Sequence, residues 1–187
     1  RTSDRFLTLE ERTAFANTKN ADLFISIHTN ASRDRRAYGL ETYFLNLATD
    51  EEAIRVAAME NATSTKNISD LQKILFDLMQ NAKINESSRL AAYVQTAMVG
   101  HLRNKRYTRV KSKGVKQAPF YVLLGAQMPS ILIEAAFISN PRECKRLVNP
   151  MFQERIAEGI VQGIRQYIKA TSPTAFRKQL LHSQPRG

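Results

Sequence analysis

The chain holds one cysteine, three histidines and seven glycines, and each shortage closes off a class of chemistry. Cys144 alone cannot form an internal disulfide, and zinc held by several thiolates is excluded. In a helix-prone stretch it reads as a small packing residue. The glycines are scattered, so no phosphate-cradling loop is present. No HExxH or comparable local metal motif occurs, and Ser139 lacks the neighbouring His and Asp of a nucleophilic triad. No apolar run is long enough to cross a bilayer, no internal repeat recurs and no signal peptide opens the sequence. Arg1 is not a natural start, which predicts an excised or mature fragment whose targeting information lies upstream.

What is present suits one α/β domain. The 187 residues are 43% hydrophobic, enough to bury one sizeable core. The formal charge is +11, from 28 Lys and Arg against 17 Asp and Glu. The basic residues gather in Arg33–Arg36, in Arg103–Lys116 and after Thr171. Such runs read either as solvated loops or as a surface for a polyanion such as an anionic cell wall. No aromatic-rich nucleic-acid signature accompanies them, so nucleic acid is not the expected partner.

Dense apolar runs predict strands over Asp22–His28 and Ser130–Phe137, with weaker strand signals at Leu40–Leu45 and Phe120–Leu124. Helices are expected between them. Thr8 with Glu11, and Ser69 with Gln72, fit capping boxes, the second ahead of the stripe Leu71, Ile74, Leu75, Leu78 and Met79. A helix over Glu86–Leu102 would turn Leu90, Val94, Ala97 and Met98 inward. Asn140–Pro141 and Asn149–Pro150 read as caps followed by first helical residues, the last helix running from about Met151 to Ile168. The alternation predicts a mostly parallel or mixed twisted sheet flanked by helices over 1–170, with 171–187 as a basic tail or linker.

Ligands of open α/β sheets gather at the carboxyl ends of strands, and two polar residues stand out there. His28 ends the run FISIH, a position that serves packing or metal binding. Glu134 interrupts SILIEAAF. Burying an unpaired carboxylate is costly, and a raised pKa is what a general base near neutrality needs, so Glu134 is the stronger catalytic candidate. His101, near a helix C-terminus, and His182, in the tail, have no partner at ligand spacing.

The segment RTSDRFLTLEERTAFANTKNADLFISIHTNAS resembles the amidase_3 family stretch that ends in Ser-Ile-His-x-Asn. GVKQAPFYVLLGAQMPSILIEAAFISNPREC resembles that family's second hallmark, a Glu followed by Phe-Ile-Ser-Asn-Pro. The resemblance covers Arg1 to about Lys169. It implies a zinc-dependent N-acetylmuramoyl-L-alanine amidase of the envelope, periplasmic or extracellular, acting on peptidoglycan. It implies zinc held by two His and one Glu with water in the fourth position, His28 matching the second His and Glu134 the catalytic carboxylate. The family's Gly-His-Gly-Gly turn and its Glu ligand precede the point where this chain opens. Either the natural protein extends upstream or the chain is a non-catalytic peptidoglycan-binding or regulatory fragment.

Leu47–Asp70 forms an insertion, and Asp50–Asn61 within it is helix-prone. In cell-division members of the family a helix here plugs the site until an activator protein displaces it. By that likeness Glu51, Glu52 or Glu60 supplies a carboxylate to the zinc, Glu60 being the chosen candidate. An ordinary surface helix is the other reading. The apolar content is modest, chiefly Ile54, Val56 and Met59, as a releasable plug requires.

Overall fold

The computed structural model describes residues 6–75 and 82–171. Strands β1 (Phe24–Asn30), β2 (Leu40–Leu45), β3 (Ser112–Ala118) and β4 (Ser130–Phe137) form one mixed sheet in the order β1-β4-β2-β3. β1 runs parallel to β4, β4 antiparallel to β2, and β2 parallel to β3. Helices α1 (Leu9–Thr18), α2 (Glu51–Glu60), α3 (Thr65–Leu75), α4 (Ala82–Asn104), α5 (Tyr121–Leu124), α6 (Pro141–Leu147) and α7 (Pro150–Thr171) connect and cover the strands.

Alternation along the strands sorts their side chains between two helical layers. Leu40 and Phe44, with Ile131, Ile133 and Ala135, join a core against α4 and α7. Tyr43 and Leu132 face the other way, onto Ala53, Val56 and Ala57 of α2 and onto Ile68, Phe120 and Leu123. Leu90, Val94, Ala97 and Met98 of α4 are all buried, as their spacing predicted. Gly159 and Gly163 let α7 approach α4 closely: a Cβ at Gly163 would stand 2.5 Å from the Val94 Cα.

Local chemistry explains most boundaries. Thr8 and Glu11 form the expected capping box. Asn140 caps α6 ahead of Pro141, and Asn149 accepts from the amides of Met151 and Phe152 at the start of α7. Asn140 also donates to the carbonyls of Arg35 and Ala37, and buried Glu143 accepts from Gly39 N and Phe137 N. The Ser-Asn-Pro stretch thus fastens the end of β4 to the loop between β1 and β2.

Two expectations fail. Phe120–Leu124 is not a strand. Pro119 cannot donate to a ladder, and Phe120 and Leu123 bury at helical spacing around the single turn α5. The strand lies just before it in SKGVKQA, whose lysines hid the pattern. Ser69 is not a cap either. It lies inside α3 and donates to the Thr65 carbonyl at 3.1 Å, while Ser64 accepts from Asn67 N and marks the start. The helix begins a turn early because an earlier cap exists and Ile68 is thereby fully buried. The side chains of Leu71, Ile74, Leu75, Leu78 and Met79, and the tail after Thr171, lie outside the described residues.

Candidate functional site

Three polar residues stand in one row across the sheet. His28 of β1 pairs in register with Glu134 of β4, and Glu134 pairs in turn with Glu41 of β2. All three share the parity of Leu132 and Tyr43 and therefore face α2. The two residues singled out by sequence are thus direct neighbours, toward the carboxyl ends of two parallel strands.

Helix α2 closes over this row. Asp50 caps it by accepting from Ala53 N at 2.8 Å, and Asn61 ends it. Asn61 fixes that end by donating to the Pro119 carbonyl and accepting from Tyr121 N, both at 2.8 Å. Ala53, Val56, Ala57 and Ala58 are buried, Ile54 is half-buried and Met59 is exposed. Glu60, in the last turn, places Oε2 directly against His28 Nδ1. The other ring nitrogen, Nε2, lies 2.7 Å from Ser26 Oγ. Both imidazole nitrogens therefore have partners while α2 is docked.

Glu134 is fully buried, and neither carboxylate oxygen has a hydrogen-bond partner. Burial pushes its pKa up to about 9, with the nearby charges of Glu60 and Glu41 adding to the shift. Both effects favour the protonated form of Glu134 while α2 is docked. Glu41, equally buried, accepts from the Tyr43 hydroxyl and pairs with Lys113 Nζ at 2.5 Å. Burial, then the Glu41 charge, drives the Tyr43 phenol well above its ordinary value. Sequence reading missed Glu41 and Lys113, although a Glu inside LETYFL carries the same signal as Glu134.

A cleft of about 1210 Å³ runs along β1, with Phe15, Phe24, Ile27, His28, Thr29 and Glu60 among its lining. His101 lies elsewhere, 2.8 Å from Glu158 between α4 and α7, and takes no part in the row. His182 lies outside the described residues. Among the described residues no three His, Cys, Asp or Glu side chains converge closely enough to hold a metal ion by themselves. The donor types nevertheless suit a cation. The His28 imidazole and the Glu60 carboxylate are in contact, and the buried Glu134 beside His28 in the sheet has no hydrogen-bond partner.

A family model described as N-acetylmuramoyl-L-alanine amidase, Amidase_3, matches residues 1–166. The chain is 30% identical over 197 residues to N-acetylmuramoyl-L-alanine amidase AmiA of Escherichia coli K12, covering all of this chain and 64% of that protein. It is 33% identical over 185 residues to the AmiC amidase of Escherichia coli O6:H1, covering 95% and 43%. The chain thus spans less than two thirds of the length of either relative. The crystal structure of an N-acetylmuramoyl-L-alanine amidase from Clostridium difficile 630 superposes with a TM-score of 0.66 at 30% identity, over 92% of this chain and 71% of that one. Among the described residues no helix is long and apolar enough to cross a membrane.

Proposed function

Because the chain belongs to the N-acetylmuramoyl-L-alanine amidase family, we propose that it serves a zinc-dependent peptidoglycan amidase held closed by α2. The bond cleaved is the amide between the lactyl group of N-acetylmuramic acid and the L-alanine of the stem peptide. The observation that carries this reading is the direct pairing of His28 with Glu134 beneath a helix whose Glu60 occupies His28. His28 is the metal ligand of this chain. A tetrahedral catalytic zinc needs two further protein ligands, and no described residue other than His28 is assigned to them. Zinc, when bound, lowers the pKa of its water toward about 7 and polarises the scissile carbonyl.

The chain's own residues do the rest. Glu134 takes the proton of the attacking water and delivers it to the departing amine. In the closed conformation burial and the Glu60 charge favour its protonated form, which is no base. Withdrawal of α2 removes that charge, frees His28 Nδ1 and opens Glu134 to solvent. Few large side chains hold the helix, so a partner protein can displace it. A peptidoglycan substrate places the enzyme in the cell envelope.

The test uses full-length enzyme and release of stem peptides from purified peptidoglycan. Glu60→Gln should raise basal hydrolysis. Glu134→Gln should retain zinc and lose about 10²–10⁴-fold in rate. Near-normal hydrolysis by Glu134→Gln would assign the base elsewhere. Absence of hydrolysis by every form, activator included, would favour a non-catalytic wall-binding module.

A further inference from the structure

The far end of α2 is held by a second set of charges that the hydrolytic reaction does not use. Glu52, in the first turn, accepts from Lys113 Nζ at 2.5 Å and from Lys116 Nζ at 2.9 Å. The same two ammonium groups lie 2.5 and 3.8 Å from the buried carboxylate of Glu41. Both lysine side chains are only 15% exposed. Their heads sit over rings, Lys113 4.9 Å from the Phe137 centroid and Lys116 6.0 Å from that of Tyr43. Burial works against ionisation of Glu52, but the hydrogen bonds from Lys113 and Lys116 outweigh it and bring its pKa down to about 2.

With α2 docked, two carboxylates balance two ammonium groups. When α2 withdraws, Glu52 leaves with it. Two cations, opened to solvent on the side that Glu52 had covered, then face the single carboxylate of Glu41. Two ammonium groups fixed beside one carboxylate leave a local excess of positive charge, which attracts another anion to the vacated position. Lys113 and Lys116 lie on β3, and the row from His28 to Glu41 ends beside them.

We propose that Lys113 and Lys116 form a carboxylate subsite for the peptide stem of the substrate, which Glu52 occupies as an intramolecular stand-in while the enzyme is closed. The proposal rests on the reading of α2 as a displaceable helix and adds what the exposed cleft selects. The spacing indicates which carboxylate is read. Glu52 and Glu60 are eight positions apart on α2, or about 12 Å at about 1.5 Å per residue. Glu60 marks the reacting end of the cleft, against His28. An extended peptide advances about 3.3–3.6 Å per residue, so the recognised carboxylate lies about three to four residues from the scissile amide.

Two synthetic muramoyl tetrapeptides decide the matter, one with free carboxylates at the third and fourth stem residues and one with both as carboxamides. With full-length enzyme carrying Glu60→Gln, the free acid should be cleaved with a kcat/KM roughly tenfold or more above that of the amide, mainly through KM. Lys113→Met and Lys116→Met should bring that ratio toward one, and Lys116→Arg should restore much of it. Glu52→Gln should raise basal hydrolysis of both peptides. Were the lysines only a latch for the helix, Lys116→Met would instead raise hydrolysis of both peptides with an unchanged ratio, and the proposal would fall. Equal cleavage of the two peptides by the parent enzyme would also overturn it. Calorimetric binding of the same peptides to enzyme carrying both Glu60→Gln and Glu134→Gln keeps the answer independent of hydrolysis. A preference for the free acid that Lys116→Met abolishes supports the subsite even if the amidase reading fails, and binding without preference rejects it.

Discussion

The two faces of the sheet hold their helices by opposite means. On one, α4 and α7 meet through Gly159 and Gly163 and bury Leu90, Val94, Met98, Phe152, Ile156 and Ile160 against β2 and β4. On the other, α2 lays three alanines and Val56 on the sheet and is tied at each end by polar contacts. Those are Glu52 with Lys113 and Lys116 at one end, and Glu60 with His28 and Asn61 with the Pro119 backbone at the other. Apolar burial scales with area and ignores salt, whereas ion pairs are screened and can be exchanged for other partners. The first face is built to persist. The second can open, and the candidate site lies beneath it.

The largest expected effect lies on the α2 face. The carboxyl of Glu134 is raised from 4.5 to about 9, so between those values the folded chain holds a proton that the unfolded chain has released. Stability from this group is fully present below about pH 4.5 and falls as pH rises toward 9. Glu134→Gln removes the dependence. In the metal-free 187-residue chain it should be more stable than the parent by about 3 kcal/mol at pH 7, the gap closing below pH 4.5. Chemical denaturation across pH measures this, and a pH-independent gap would mean that Glu134 is ionised in the folded chain.

On the other face, Gly163→Ala drives a Cβ to 2.5 Å from the Val94 Cα. It should cost about 1–3 kcal/mol and lower the melting temperature. An unchanged melting curve would show that α4 and α7 are less tightly joined than the distance implies. The smallest effect is local. Asp50→Ala removes the cap on Ala53 N and should weaken α2 by about 1 kcal/mol. Amide hydrogen exchange should quicken in α2 and stay unchanged in α4. Salt should likewise speed exchange in α2 alone, and equal acceleration in both helices would erase the contrast between the faces.

The same contrast governs what could be read from the sequence. The α4–α7 face was legible because its apolar residues recur at helical spacing and its caps are local, as at Asn140–Pro141 and Asn149–Pro150. β3 was not, because Lys113 and Lys116 mask a strand that among the described residues pairs with distant β2. Ser69 offered an acceptable cap in isolation and lost to Ser64, since the burial of Ile68 settles where α3 begins. Glu134 and His28 were visible as polar interruptions at strand ends. Glu41 carried the same mark in a weaker strand and was passed over.

By itself the sequence determined strands β1, β2 and β4, most of the helices, the burial of a carboxylate at Glu134 and the helix over Asp50–Asn61, since each depends on residues within a few positions of one another. Only the tertiary structure decided that His28, Glu134 and Glu41 form one row, that Glu60 rests on His28, and that Glu52 engages two lysines on β3. Strand order and register bring together residues more than a hundred positions apart. No local preference encodes that pairing, because it is the shared burial of many side chains across the sheet that selects it.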